Sequence, residues 1–164
     1  IEKIATVGEN MNIRRFERIE TPSVVSGYLH GEGKIAVLVE LDGGTKEVAE
    51  DVAMQVAALN PEYLDETQIE ESRLNSEKHI IMEHTLEEGK PAEIAEKIAA
   101  GRLQKVFEEI CLVHQPFVKD GSLKVKEYVA KDGGKVVKFV RFEKGEGLEK
   151  RVENFAEEVM QQLK

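Results

Sequence analysis

The run from Gly89 to Val118 constrains the fold of this chain more than any other stretch, because it encodes a turn, a long amphipathic helix and an exit in that order. Gly89 can end a preceding helix in the left-handed conformation, and the ring of Pro91 presets the backbone for a first helical turn. We therefore predict that a helix begins at Pro91. Its apolar stripe, with spacings mostly of three and four, comprises Ile94, Ile98, Leu103, Val106, Phe107, Ile110 and Val113.

The sequence before Gly89 offers a second helix to cover that stripe. Asp65 is an N-cap candidate. A weaker apolar pattern at helical spacing follows at Ile69, Leu74, Ile81 and Leu86. Two helices joined at Gly89 form an antiparallel hairpin, and arms of twenty-odd residues would extend about 30 Å. We predict a hairpin insertion over about residues 66–117 that protrudes from the domain.

The rest of the chain mixes strands and helices without a regular alternation, which favours an α+β class with a small antiparallel sheet packed by helices. The predicted strands cover residues 10–19, 23–30, 34–41 and 134–145. The predicted helices are one capped by Thr45 that ends near Asn60, a short one over 123–130 after a turn at 120–122, and a last one over about 148–163.

The composition limits the function classes that need to be considered. The chain has 164 residues, a size that fits one domain, and its net charge of −9 opposes nonspecific attraction to nucleic acid or anionic lipid. Its apolar stretches are too short to span a bilayer, so a cytoplasmic setting is the default. The first residue is Ile1 rather than Met, so we expect residues 1–164 to be one domain of a larger protein.

Residues that could carry chemistry have simpler structural interpretations. His79 and His84 are five residues apart and do not share a helical face as a pair of metal ligands would. Cys111 lies on the buried stripe, which favours a core residue over a nucleophile. His30 is different, because it ends a strand at a glycine-containing turn and stays open to a partner. We predict no enzyme activity, catalytic residue, metal ligand or cofactor-binding residue.

Five segments of the chain resemble the elongation factor Ts family, in the family's order and over nearly the whole chain. They are VGENMNIRRFERI (7–19), GYLHGEGKIAVLV (27–39), AMQVAALNPEYL (53–64), the run 89–118 and FVRFEKGEGLEKRVENFAEEV (139–159). The resemblance implies a small sheet with packed helices and a protruding coiled coil, used to bind elongation factor Tu and release its GDP. Since that partner supplies the nucleotide pocket and the magnesium, the resemblance implies no cofactor and no direct nucleotide binding.

The resemblance also implies partner-binding residues where the family motifs match. These expected contact residues are Val7, Gly8, His30, Phe117, Val118, Leu148, Val152 and Phe155. Gly8 would permit close backbone approach. We predict that Phe117 and Val118, at the exit of the hairpin, reach the partner, and that the last helix shares its apolar residues between the core and the partner.

The departure from the family pattern lies at the start of the chain. Family members carry an N-terminal helical domain and a first half of the core with a Thr-Asp-Phe-Val motif, and neither occurs in this sequence. The resemblance therefore implies a C-terminal core fragment of an exchange factor. The alternative is a self-association module, in which the sheet and the hairpin hold a homodimer together without exchange activity of its own.

Overall fold

The computed structural model describes residues 2–9, 12–89 and 91–148, and these ranges contain helices together with a three-stranded and a two-stranded antiparallel sheet. The helices are α1 (Glu2–Val7), α2 (Lys46–Leu59), α3 (Glu71–Glu87), α4 (Ala92–Ile110) and α5 (Val125–Lys131). The strands are β1 (Val24–His30), β2 (Ile35–Asp42), β3 (Pro116–Phe117), β4 (Asp120–Lys124) and β5 (Lys135–Glu143). This mixture confirms the predicted α+β class.

The larger sheet has the strand order β1-β2-β5, and each neighbouring pair is antiparallel. β1 and β2 are joined by a tight turn in which Gly31, Glu32 and Gly33 all have positive φ angles. Glycine adopts this conformation without strain, which suits two of the three positions. β5 follows the helical hairpin in the sequence and returns to pair with the free side of β2. The three strands predicted around these positions are confirmed.

The fourth predicted strand, over residues 10–19, is wrong. The described part of this segment lies outside any strand ladder, although the outer edges of β1 and β5 have no other strand beside them in the described sheet. Ion pairs connect the segment to β5 and to the turn after it: Arg15 pairs with Glu146 at 2.9 Å, and Glu17 pairs with Lys138. Side-chain ion pairs, and no strand ladder, therefore hold the described part of this segment.

Helix α2 covers one face of the larger sheet. As predicted, Thr45 caps its start, where the hydroxyl accepts the Val48 N–H at 3.4 Å, and Asn60 ends it in the left-handed conformation with φ 46°. The core lies between α2 and the inner face of the sheet. Its fully buried members include Val39, Leu41, Ala49, Val52, Ala53 and Val56. The outer face of the sheet is exposed at Leu29.

The segment after the hairpin differs from the prediction of a turn at 120–122 and a helix from residue 123. The structure has strand β4 there, paired with β3, and α5 begins only at Val125. The helix starts where the Glu127 carboxylate accepts the Lys124 N–H at 2.9 Å. Short polar residues permit both a turn and an edge strand, and the pairing with β3 selects the strand.

Helices α3 and α4 pack against each other as an antiparallel hairpin, and Gly89 in the turn has the predicted left-handed conformation with φ +76°. The two helices occupy less than the predicted span of 66–117, because short 3-10 turns flank them at Glu66–Gln68 and Leu112–His114. Their buried contact includes Ile69, Leu103, Phe107 and Cys111, with Leu74 and Ile81 packed alongside.

Small side chains make the hairpin contact near its turn, in place of the predicted stripe. Thr85 and Ala95 are fully buried, whereas Leu86 of the α3 pattern and Ile94 of the α4 stripe are 45% and 49% exposed. The helical phase of α4 therefore differs from the prediction in its first turns. Small residues at this level let the two helix backbones approach closely.

Candidate partner-binding surface

An open cavity of about 380 Å³ lies on one side of the core, between the end of β1, the second half of α2 and the turn that links β3 to β4. Its lining residues are Tyr28, His30, Met54, Ala57, Ala58, Val118 and Lys119. His30 and Val118 are far apart in the sequence, and both belong to the predicted contact residues. The fold thus brings two of those residues into one surface.

The strand wall of the cavity is formed by Tyr28 and His30. Residues two apart in a strand lie on the same face, and the Tyr28 hydroxyl is 3.2 Å from His30 Nδ1. The two side chains therefore orient each other. His30 is the last residue of β1 and its imidazole is exposed, so it can contact a molecule that approaches the cavity.

The helix wall is formed by Met54, Ala57 and Ala58, which share a face of α2 because residues three and four apart in a helix are neighbours. The two alanines leave space that larger side chains would occupy. Met54 adds a flexible apolar side chain, which adapts to the shape of whatever it packs against. These three residues form the apolar floor of the cavity.

The loop wall is formed by Val118, which is 45% exposed, and by Lys119. The Lys119 ammonium pairs with the Asp51 carboxylate at 2.5 Å, and the Tyr128 hydroxyl donates to the same carboxylate at 2.6 Å. Burial, together with the hydrogen bond to Asp51, raises the pKa of Tyr128 to about 12, so its phenol stays protonated. These contacts hold Lys119 at the rim of the cavity.

Phe117 lies beneath this surface, which corrects the prediction that its side chain reaches a partner. It is only 2% exposed, and its ring stacks on Tyr128 with the centroids 4.0 Å apart. Neighbouring residues in an extended segment point to opposite sides. Phe117 therefore faces the core, and Val118 is the exposed residue of the pair.

Val7, Gly8 and Leu148, three further predicted contact residues within the described ranges, do not line this cavity. Val7 ends the short helix α1 and is 53% exposed, and Gly8 follows it with φ +78°. Leu148 is 57% exposed after the turn that ends β5. Val152 and Phe155 lie outside the described residues, so their predicted role stays a prediction.

Reasoning from the sequence missed five cavity residues, namely Tyr28, Met54, Ala57, Ala58 and Lys119. Tyr28 carried a usable signal, since it lies two residues before His30 on a strand that the pattern predicts. Lys119 directly follows Val118. Met54 carried none, because its place in the cavity depends on how α2 crosses the sheet.

The cavity is suited to binding an apolar side chain of another protein. Its floor is apolar, and the nitrogen-bearing side chains of His30 and Lys119 stand at its rim, where they can donate to carbonyl or carboxylate oxygens beside an inserted side chain. Apolar anchors in pockets with polar rims are the usual centres of protein interfaces.

Other groups in the described ranges that could carry chemistry are not arranged for catalysis or metal binding. Cys111 is fully buried, and burial raises its pKa to about 11, which disfavours the nucleophilic thiolate. Within residues 2–9, 12–89 and 91–148, no cluster of three or more His, Cys, Asp or Glu side chains could hold a metal ion. In the same part of the chain, no helix combines the length and the apolar character needed to cross a membrane.

These features define the class as a small α+β domain that carries an antiparallel helical hairpin and presents an apolar cavity. A family model described as Elongation factor TS matches residues 1–146. The chain belongs to the elongation factor Ts family.

Curated relatives from three bacteria carry the name elongation factor Ts. The protein of Halothermothrix orenii is 46% identical over 166 residues, which cover 99% of this chain and 56% of that protein. The protein of Clostridium novyi is 50% identical over 173 residues, covering 98% and 56%, and that of Clostridioides difficile is 47% identical, covering 99% and 57%. The chain thus spans a little over half the length of these relatives.

Proposed function

We propose that this chain binds elongation factor Tu through the cavity between His30 and Val118, and that it contributes to GDP release in the full-length protein. The observation that carries the proposal is the meeting of these two residues in one exposed apolar cavity, in a chain of the elongation factor Ts family. The chain acts in the cytoplasm as a translation factor, performs no covalent chemistry, and leaves the nucleotide pocket to its partner.

Nucleotide exchange of this kind is a linkage between two ligands of one protein. An exchange factor that binds nucleotide-free elongation factor Tu more tightly than the GDP-bound form must weaken GDP by the same factor. GTP then displaces the exchange factor. The cavity contributes binding energy to this difference by taking up an apolar side chain of the partner, with His30 and Lys119 pairing with polar groups around it.

We propose further that residues 66–117 form an insertion in one C-terminal core domain. Its two helices are connected by a turn at Gly89 and return to the core at β3, next to the cavity wall at Val118. We therefore propose that the hairpin extends the contact surface beyond the cavity.

Titration calorimetry with purified elongation factor Tu tests the proposal. We expect the chain to bind the nucleotide-free partner at least about tenfold more tightly than the GDP-bound partner, a difference of about 1.4 kcal/mol. Release of a fluorescent GDP analogue, compared between this chain and a version extended at its N-terminus, then measures exchange. Equal affinity for both forms of the partner, or no binding to either, would overturn the proposal.

The second candidate function is self-association, and the outer face of the larger sheet favours it. This face carries an apolar groove of about 480 Å³ whose walls include Leu29, Ala36, Leu38, Val140 and Phe142. Gly27 keeps the groove open, since a Cβ atom at that position would lie 3.0 Å from a methyl group of Leu38. A second copy of the chain could cover this face with its own.

Sedimentation equilibrium over a wide concentration range tests the second candidate. Leu29 is 71% exposed, so Leu29→Glu should leave the fold intact and shift a dimer to monomer by burying charge in the interface. Ile80→Glu is the matched control, because Ile80 is 61% exposed on α3 and away from the groove. A wild-type chain that stays monomeric at every concentration rules self-association out.

A further inference from the structure

Two glutamines are buried where α2 meets the segment that follows the hairpin. Gln55 of α2 is 0% exposed and Gln115 is 1% exposed. A buried amide group is costly unless its donors and acceptor are paired. The hydrogen bonds of these two side chains therefore show what each one holds in place.

Gln55 is bonded to three groups of the segment that carries the cavity wall. Its Nε2 donates to Gln115 Oε1 at 3.2 Å and to the Pro116 carbonyl at 3.1 Å. Its Oε1 accepts the Val118 N–H at 2.8 Å. One side chain of α2 thus fixes the backbone on both sides of the buried Phe117, including the residue whose side chain faces the cavity.

Gln115 extends these contacts to the hairpin and to α5. Its Nε2 donates to the carbonyl of Glu109, in the last turn of α4, at 2.9 Å. Its backbone carbonyl accepts the Val125 N–H, at the start of α5, at 3.0 Å. The two amides therefore tie together α2, the end of the hairpin and the Val118 wall. Neither glutamine lines the cavity itself.

We infer that Gln55 and Gln115 are positioning residues for partner binding: they hold Val118 and the end of α4 in fixed positions relative to α2 before the partner arrives. This inference rests on the proposed function. A loop that is ordered in advance loses less conformational freedom on binding, so a preformed wall raises the affinity without touching the partner.

The test compares Gln55→Met with Val52→Ala. Methionine keeps the approximate volume of glutamine but leaves Val118 N–H and the Pro116 carbonyl without their partner. Val52 is fully buried one turn earlier on α2 and is not among the cavity residues, so its truncation destabilises the core without releasing the wall. Both variants are measured at a temperature at which circular dichroism shows them folded.

Two readouts separate positioning from general stability. Amide exchange measured by NMR should show that Val118 loses its protection in Gln55→Met and keeps it in Val52→Ala. The affinity for nucleotide-free elongation factor Tu should fall about tenfold in Gln55→Met and change less than about twofold in Val52→Ala. If Gln55→Met does not fold, Gln115→Met replaces it. Because Gln115 Oε1 orients the Gln55 amide that accepts the Val118 N–H, we expect faster exchange at Val118 and a weaker affinity.

Two outcomes overturn the inference. One is unchanged protection of the Val118 amide in the glutamine variant, and the other is an affinity loss no larger than that of Val52→Ala. A wild-type chain that does not bind elongation factor Tu instead refutes the proposed function. In that case the exchange of Val118 still decides whether the glutamines hold the wall.

Discussion

His30 and Val118 carry the proposed contact with elongation factor Tu, and both are exposed enough to be changed without loss of the fold. His30→Ala and Val118→Ala should each weaken binding of the nucleotide-free partner by about fivefold or more. The free energy of unfolding should change by less than about 0.5 kcal/mol. Calorimetry and urea unfolding measure the two quantities. His79→Ala, a histidine with a 70% exposed side chain on α3, is the control and should bind as the wild type does.

Phe117 should behave as a core residue in spite of its exposed neighbour. Phe117→Ala removes a ring that is 2% exposed and stacked on Tyr128, so the free energy of unfolding should fall by about 3–5 kcal/mol. Val118→Ala, one residue later, should cost less than about 0.5 kcal/mol. Urea unfolding compares them, and similar losses for the two variants would contradict the assignment of inward and outward faces.

At the residue scale, the sequence could identify the exit of the hairpin as a candidate contact segment. It could not show which side chain, Phe117 or Val118, faces outward. The pair of apolar residues after Pro116 fits either orientation, and burial of Phe117 is decided by Tyr128, which comes from a different element. His30 was easier, since a strand end before a glycine turn is exposed in most arrangements. Contacts that join distant segments, such as Gln55 with Val118, leave no local pattern.

At the scale of elements, local signals predicted those elements that have strong periodicity or caps. β1, β2, β5 and α2 were found from alternation, helical spacing and the Thr45 cap. The segment 10–19 also alternates, but its described residues join no ladder, and side-chain ion pairs with Glu146 and Lys138 hold it instead. The phase of α4 near its turn was mispredicted because Thr85 and Ala95, two small residues, form the contact there.

The 3-10 turns at the base of the hairpin contribute stability that depends on pH. The pKa of Glu66 lies below its ordinary value of 4.5. The largest cause is the hydrogen bond from His114, and the next is a backbone hydrogen bond. A lowered folded-state pKa gives stability that is present above the ordinary pKa and is lost as the pH falls through the folded value. Glu66→Gln should therefore be less stable at pH 7, by less than about 1 kcal/mol, because the Glu66 side chain is 46% exposed.

Urea unfolding of wild type and Glu66→Gln as a function of pH checks this prediction. The difference between them should shrink as the pH falls below 4.5. Glu50→Gln, which changes an exposed residue of α2, serves as the control. A difference that grows on acidification has the opposite sign and would refute a stabilising carboxylate at Glu66.

Arg102 secures the hairpin next to its turn. Side chains of a helix lean towards its N-terminus, so Arg102 of α4 points towards the turn. Its guanidinium donates to both oxygens of Glu88, at 2.7 and 2.9 Å, and to the Thr85 hydroxyl at 3.1 Å. Arg102→Lys keeps the charge but loses the second nitrogen, so it cannot bind Glu88 and the Thr85 hydroxyl as the planar guanidinium does. Amide exchange should become faster in the last turn of α3 and stay unchanged in β2; a uniform increase across both would contradict this local role.

At the scale of the whole molecule, the fold separates two apolar surfaces. The cavity with His30 and Val118 lies where β1, α2 and the β3–β4 turn meet, while the groove with Leu38 lies on the outer face of the sheet. The first is the proposed contact with elongation factor Tu, and the second is the candidate for self-association. The sequence predicted the family and the class of fold, but not this separation, because it depends on which sheet face α2 covers.

Site-specific photocrosslinking to nucleotide-free elongation factor Tu tests the central claim most directly. A benzoylphenylalanine in place of Lys119 stands at the rim of the cavity, and one in place of Leu29 stands on the outer face of the sheet. We predict a crosslink to elongation factor Tu from position 119 and none from position 29. A crosslink from position 29 alone would contradict the assignment of the cavity as the partner-binding surface.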